Sequence, residues 1–339
     1  MKILIVGDFK EESGRRLLVN ARKFGKGFVR NGHDVMEFCY RAQLQQLSPI
    51  KSKNWAVKIA KKKVDEILAE LARHYQPELV FLTTFKLLDV KTIRQIKAAA
   101  QALLICWYED ATRGLNEQVL DIGRMCDFFL ATSGGELLQR YKQAGVRRCA
   151  FMPNPSDKDI EHPREVPDKC RSKILFTGKL RHGQDGQDEM RRELIKWLVD
   201  HKDMTVWGCM GQKTLQGIDY LNAICGAEMA LSINVFNDVR FYHSDRLTHY
   251  LGCGAFVLAK RVPDSDLLFE DHKHLCYFDT KDQCAELIER FQQDAGQRRK
   301  IAAAGRERVH KAFGCEKLAR YIVDLATQGE YQDSWAEII

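Results

Sequence analysis

The segment SDRLTHYLGCGAFVLA, residues 244–259, combines residue types that could bind a phosphorylated ligand. Ser244 or Asp245 is a suitable N-cap for a helix, and Arg246 and His249, three positions apart, share one face near its start. A helix N-terminus carries partial positive charge and exposed N–H groups, so an adjacent Arg makes a site for phosphate or diphosphate. His249 could donate a hydrogen bond to a phosphate or a ribose hydroxyl. The alternative is a pair of exposed surface side chains.

A second segment, ILFTGKLRHG, supplies basic side chains directly after an apolar run. Gly178, Lys179 and Arg181 follow the predicted strand, and a glycine-flanked basic loop of this kind suits a diphosphate. A solvated basic turn is the alternative. Because both segments follow predicted strands in the same half of the chain, we expect them to line the same edge of one sheet, which favours an anion site.

Acidic side chains follow two predicted strands in the first half of the chain, in GDFKEESGR and WYEDATRG. Carboxylates at such positions could act as a general base or bind hydroxyl groups. Asp8 and Asp110 are the candidate bases. Glu11, Glu12 and Glu109 are further candidates for ligand contacts. The alternative for several of these five acids is that they are only solvated loop residues.

Apolar runs that alternate with amphipathic segments predict the elements that position these residues. Five runs in the first half and four in the second have the length and β-branched content of buried parallel strands, with helical segments between them. The fold class is therefore α/β, with two Rossmann-like, doubly wound domains. A polar stretch with three prolines beyond Asn154 marks the boundary. We predict domains at 1–155 and 156–325, followed by a tail at 326–339.

Composition and motifs exclude several other classes of protein. Hydrophobic residues make up 45% and charged residues 29% of the 339, which is typical of a water-soluble globular chain. The eleven cysteines are scattered and include no C-x-x-C pair, which indicates reduced core thiols rather than disulfides or a structural zinc site. No G-x-G-x-x-G follows the first strand, which counts against NAD. The apolar N-terminal run is too short for a signal peptide, so we predict a cytoplasmic protein.

A Lys-rich segment, KSKNWAVKIAKKK at residues 51–63, is the strongest basic cluster in the first half. Trp55 and Ile59 form an apolar edge among the lysines, so a helix here could lie on an anionic membrane surface as a peripheral contact. A solvated helix face is the alternative. Nucleic acid is a disfavoured partner. Binding to it would appear as retention of DNA or RNA that depends steeply on salt concentration.

The second half resembles the C-terminal block of the CgeB-like, group 1 type glycosyltransferases. The resemblance is carried by SDRLTHYLGCGAFVLA, by DLLFEDHKHLCYFDTKDQCAELIERF and by RRKIAAAGRERVHKAFG, within residues 174–325, and more loosely by WYEDATRG and CDFFLATS in the first half. It implies a GT-B fold, in which the two Rossmann-like domains face each other across a cleft. The first domain would then be the acceptor side, with Glu11, Glu12 and Glu109, and the second would bind a nucleotide sugar.

The resemblance also implies roles for individual residues. Many of those enzymes carry Glu at the position of His249, where the donor ribose binds, so the preferred nucleotide is left open. Glu270 could approach the ribose or the sugar. The residues implied to hold or face the donor diphosphate are Gly178, Lys179, Arg181, Ser244, Asp245 and Arg246.

These observations predict a nucleotide-sugar-dependent glycosyltransferase of the EC 2.4 class, acting on a glycan or lipid-linked glycan acceptor in polysaccharide or lipopolysaccharide biosynthesis. We expect no cofactor and no metal, because fixed cations and a helix N-terminus can offset the charge of the leaving diphosphate. No D-x-D pair ends a predicted strand, which agrees with the expectation that no metal is needed. The sequence leaves open whether the anomeric centre is inverted or retained. The alternative function is a non-catalytic two-domain protein that binds a small ligand.

Overall fold

The computed structural model describes residues 1–9, 18–49, 53–84, 87–110, 114–180 and 186–339. These form two compact units. The first unit contains the described residues of 1–9, 19–153 and 315–339, and the second contains Leu18 and the described residues of 154–314. Residues 315–339, which we divided between the second domain and a tail, therefore cluster with the first unit.

The first unit contains a six-stranded sheet with the order β2-β1-β3-β4-β5-β6, and every pair of neighbours is parallel. Its strands are β1 (Lys2–Gly7), β2 (Asp34–Cys39), β3 (Leu79–Leu82), β4 (Leu103–Tyr108), β5 (Phe128–Ala131) and β6 (Cys149–Phe151). Its helices are α1 (Asn20–Arg30), α2 (Tyr40–Leu47), α3 (Lys53–Tyr75), α4 (Val90–Ala99), α5 (Glu117–Met125), α6 (Glu136–Gln143) and α12 (Cys315–Thr327).

The central strands of this sheet are buried along their length, as expected of strands covered on both faces. Helix α12 packs against α1, and the approach is close at Gly27, where a Cβ atom would lie 2.2 Å from the carbonyl oxygen of Cys315. Any larger residue at this position would separate the two helices. Beyond α12, Ile338 bridges Ala150 in the antiparallel sense and so covers the outer edge of β6.

The second unit contains a five-stranded sheet with the order β11-β10-β9-β7-β8, again entirely parallel. Its strands are β7 (Ser172–Thr177), β8 (Met204–Trp207), β9 (Ala227–Ser232), β10 (Phe256–Lys260) and β11 (Cys276–Phe278). Its helices are α7 (Gly186–Lys202), α8 (Gly217–Cys225), α9 (Asp245–Gly252), α10 (Lys281–Gln293) and α11 (Ala295–Phe313).

The core of the second unit lies between one face of this sheet and helices α7, α10 and α11. Its largest members include Phe176 of β7, Phe256 of β10 and Phe291 of α10, all essentially inaccessible to solvent. Both halves are thus α/β with parallel sheets, which confirms the predicted fold class. Strands β6 and β11 and helices α2 and α5 are additional to the predicted elements.

Among the described residues, no helix combines the length and the apolar character needed to cross a membrane.

Candidate functional site

The loop after β7 is shaped by a contact that only glycine permits. Gly178 donates its N–H to the carbonyl of Trp207, 2.8 Å away, so the ends of β7 and β8 are joined. Its φ is +150°, and a Cβ atom here would lie 2.5 Å from Nη1 of Arg246. The two segments predicted to line one edge of the sheet therefore meet here, because the missing side chain of Gly178 makes room for the Arg246 guanidinium.

Arg246 is oriented by the ends of two strands. Its Nη1 donates to the carbonyl of Thr177 at 2.8 Å, and its Nη2 donates to the carbonyl of Ile233, which follows β9, at 2.7 Å. The guanidinium carbon lies 4.8 Å from the centre of the Phe176 ring. These contacts fix the side chain at the carboxyl edge of the sheet, where doubly wound proteins bind ligands.

The charge of Arg246 has no counter-ion in the described part of the chain. Both of its hydrogen bonds go to neutral carbonyls, and no described carboxylate lies within 4.0 Å of it. Its Nε is buried and has no hydrogen-bond partner among the described residues. A guanidinium held in this way has donors and charge left for an anionic ligand.

A second guanidinium, Arg191 of α7, lies beside Arg246. Only 3% of it is exposed, its guanidinium carbon lies 5.5 Å from the centre of the Phe176 ring, and its Nη2 is 3.6 Å from where a Cβ of Gly178 would be. We did not predict this residue. Arg191 lies on the same helical stripe as Leu194, Ile195 and Leu198. A charged residue on an apolar stripe is the sequence pattern that could have identified it.

The N-terminus of α9 is held by asparagines in the loop that precedes it. The N-cap residue Ser244 donates its backbone N–H to Oδ1 of Asn234 at 3.2 Å. Asn234 also donates from Nδ2 to the carbonyl of Tyr242, and from its own N–H to Oδ1 of Asn237. The Oγ of Ser244 makes no capping bond and is buried without a partner among the described residues. Arg246 and this helix start therefore share one strand edge, as predicted.

His249 has different contacts from Arg246, although both belong to α9. Its Nδ1 lies 3.2 Å from the hydroxyl of Tyr220, and its Nε2 lies 3.6 Å from Oε1 of Glu161. His249 is 7% exposed and Glu161 is fully buried. Arg246 and His249, which we predicted on one face of the helix, therefore contact separate sets of residues.

The remaining predicted donor residues are less well defined. Lys179 is exposed directly after Gly178. Glu270 is exposed and pairs with Lys273 at 2.7 Å, and this hydrogen bond lowers the pKa of the Glu270 carboxyl. Arg181 lies outside the described residues.

In the first unit, the predicted acids at the carboxyl edge of the sheet are held by protein groups. Asp8, after β1, pairs with Nε of Arg41 at 2.9 Å. Glu109, after β4, accepts a hydrogen bond from Nδ2 of Asn20 at 3.3 Å. Asp110 follows it and is exposed. Glu11 and Glu12 lie outside the described residues.

A carboxylate from the end of the sequence also reaches this edge. Oε1 of Glu337 accepts the backbone N–H of Gly135, the N-cap residue of α6, at 2.8 Å. Gly135 has a φ of +66°, and Glu337 supplies the capping group that the glycine lacks. Sequence reasoning did not find this contact, because 202 positions separate the two residues.

The sequence was compared with known families and proteins. Residues 187–324 match a family described as glycosyl transferase-like. This range includes Arg191, the N-terminus of α9 and Arg246, and lies almost entirely in the second unit. No curated protein matches the sequence.

Several solved structures have a similar fold over nearly the whole chain. Sucrose-phosphate synthase from Thermosynechococcus elongatus is 13% identical with a TM-score of 0.64, and the match covers 96% of this chain and 98% of that one. HepE from Anabaena in complex with UDP is 12% identical with a TM-score of 0.59, covering 97% and 100%. A UDP-N-acetylglucosamine 2-epimerase is 13% identical with a TM-score of 0.53, covering 98% and 99%.

At these identities the likeness shows the fold, and glycosyltransferases and an epimerase share it. The chain has the α/β architecture of the GT-B glycosyltransferases, and residues 187–324 within it are similar to the glycosyl transferase-like family.

Proposed function

We propose that this protein is a glycosyltransferase that takes its sugar from a nucleotide-sugar donor. The observation that carries the proposal is Arg246, a positioned guanidinium without a described counter-ion, beside the N-terminus of α9 and inside the segment that matches the glycosyl transferase-like family. Two phosphates of a leaving nucleoside diphosphate would supply the missing negative charge.

The donor diphosphate is proposed to bind at the ends of β7 and β9. Gly178 leaves the space that the Arg246 guanidinium occupies, and Arg246 and Arg191 supply positive charge. Ser244 and Asp245 present the N-terminus of α9. Roles for Lys179 and Arg181 rest on their positions in the sequence, soon after the residues of β7, and on the CgeB-like resemblance. For His249 and Glu270 the support is the CgeB-like resemblance alone, because each already has protein partners.

A uridine diphosphate sugar is the donor that we propose to test first. HepE, which shares the fold, was solved with UDP and also with UDP-glucose. The nucleobase and the sugar are best identified by measuring binding and thermal stabilisation with UDP, GDP, dTDP and CMP. Binding of one nucleotide would identify the donor class, and binding of none would contradict the proposal.

We propose that departure of the diphosphate needs no metal ion, because Arg246, Arg191 and the α9 N-terminus can stabilise its charge. If the reaction inverts the anomeric centre, Asp8 or Asp110 would deprotonate the acceptor hydroxyl. Asp8 would act beside Arg41, whose Nε lies 2.9 Å from its carboxylate. Retained activity in EDTA, together with a large loss of activity in Arg246→Ala, is the result expected without a metal.

The acceptor is proposed to be a glycan or lipid-linked glycan at the cytoplasmic face of an anionic membrane. Support comes from α3, where Trp55 is 54% and Ile59 47% exposed and Lys62 and Lys63 are also exposed. Lys61 is not available to lipid, because it bonds to Asp65, Asp89 and Thr92 inside the unit. Sedimentation with anionic but not zwitterionic vesicles, lost in Trp55→Ser, would support this contact.

Product analysis separates transfer from the other activities of this fold. Incubation with UDP-glucose should release UDP when a glycan acceptor is added. Binding without release of UDP would favour the non-catalytic ligand-binding alternative. A changed sugar configuration without transfer would favour an epimerase, a class that shares the fold.

A further inference from the structure

Two cysteines meet where α8 and α9 end. Cys225 is the last residue of α8 and is partly exposed, and Cys253 directly follows α9 and is buried. The Cys225 Sγ lies 3.9 Å from the carbonyl oxygen of Cys253 and 3.5 Å from that of His162. The Cys225 thiol therefore lies against the backbone of Cys253.

The surroundings give the two thiols opposite properties. Interaction with the Cys253 thiol and with the nearby Arg164 lowers the pKa of Cys225 below its usual range, although burial opposes the shift. The same interaction and burial raise the pKa of Cys253 well above its usual range. By contrast, burial alone raises the pKa of Cys284 to about 12. Only the thiolate form of a cysteine is a good nucleophile, so Cys225 is set apart as a reactive thiol.

We propose that Cys225 and Cys253 form a redox-active dithiol, in which Cys225 reacts with a hydroperoxide and Cys253 resolves the product as a disulfide. The Cys225 thiolate attacks one peroxide oxygen, the O–O bond breaks, and a sulfenic acid forms while an alkoxide or hydroxide leaves. The Cys253 thiol then gives up its proton as its sulfur attacks the Cys225 sulfur, the S–S bond forms, and the sulfenic hydroxyl takes that proton and leaves as water. Two electrons pass from the two sulfurs to the peroxide.

The disulfide would fasten the end of α8 to the end of α9, the helix that begins at Ser244 and carries Arg246. Neither helix end can then move independently. The chemistry needs neither a nucleotide nor an acceptor, so it does not depend on the proposed function.

Peptide mapping of the whole protein tests the proposal directly. Trypsin should release residues 214–240, with Cys225 as the only cysteine, and residues 247–260, with Cys253 as the only one. After one equivalent of hydrogen peroxide at pH 7.5, we expect the two peptides joined by a disulfide that dithiothreitol cleaves. No linked pair, or linkage of Cys225 to Cys170 instead, would overturn the proposal.

Reactivity of the reduced protein is a second, independent readout. At pH 7, iodoacetamide should modify Cys225 roughly tenfold faster than Cys39 or Cys170, the other partly exposed thiols. Equal rates would overturn the proposal. In Cys253→Ala, Cys225 has no resolving partner and no disulfide between the two peptides can form, whereas Cys284→Ala, a matched buried control, should still form it.

Discussion

The carboxyl edges of the two parallel sheets differ in how their charges are balanced. In the first unit, the carboxylate of Asp8 is paired with the guanidinium of Arg41. In the second unit, the donors of Arg246 meet only neutral carbonyls in the described residues. A balanced edge suits a neutral, hydroxyl-rich ligand, and an edge with unbalanced positive charge suits an anion. Two similar sheets can therefore recognise ligands of different charge.

Removing the positive charge should abolish this difference and have the largest effect. In Arg246→Ala we expect kcat/KM for a nucleotide sugar to fall about 1000-fold, because the diphosphate loses a charged donor pair. Calorimetry with UDP should show a matching loss of affinity. Arg140→Ala, at an exposed position on α6, is the control and should change neither value. Wild-type affinity in Arg246→Ala would contradict the donor-site assignment.

Neutralising an acid of the first unit should impair turnover and leave donor binding intact. In Asp8→Asn we expect kcat to fall about 100-fold if Asp8 is the base, with an unchanged Kd for UDP. The control is Asp121→Asn, which breaks an exposed ion pair with Arg124 in the same unit. Full activity in Asp8→Asn would exclude Asp8 as the base.

Filling the space beside Arg246 should weaken donor binding less than removing Arg246. In Gly178→Ala the new Cβ would lie 2.5 Å from Nη1 of Arg246, so the guanidinium must shift, and we expect about a tenfold loss in UDP affinity. Gly211→Ala is the matched control, because its φ is also positive but nothing lies within 4 Å of the new atom. Equal affinities in the two variants would show that the contact is unimportant.

Acid should destabilise the second unit through a buried histidine near the start of α9. Burial lowers the pKa of His243 to about 4, so the folded protein holds it neutral. In the unfolded chain this histidine has a pKa near 6.5, so between about pH 6.5 and 4 the unfolded chain binds more protons than the folded protein. The free energy of unfolding therefore falls as pH drops from about 6.5 towards 4.

This histidine should contribute about 1 kcal/mol of the loss between pH 6.5 and 5.5. Urea unfolding at the two pH values should show that loss in the wild type and a smaller one in His243→Asn. His201→Asn replaces an exposed histidine of the same unit and should behave as the wild type. An unchanged loss in His243→Asn would refute the assignment.

Sequence patterns predicted the parts of the fold that have strong local periodicity. Strands such as LVFL belong to longer apolar runs, and helix α9 has a helical period, so both were found, whereas β6 and β11 are only three residues long. Gly178 and Arg246 were found because each follows or begins an element. Arg191 and Asn234 were missed, since what matters in each is a tertiary contact of a buried polar group. The partners of His249 could not be foreseen for the same reason.

The contact between Gly27 and Cys315 has a consequence for how the protein is made. Helix α12 covers α1, yet almost all of the second unit is translated between them. A fragment that stops at residue 153 would leave the α12-facing side of α1 exposed to water and prone to aggregate. On the ribosome, the first unit has to wait for residues 315–339 before its last helix can dock, so the half that is synthesised first is completed last.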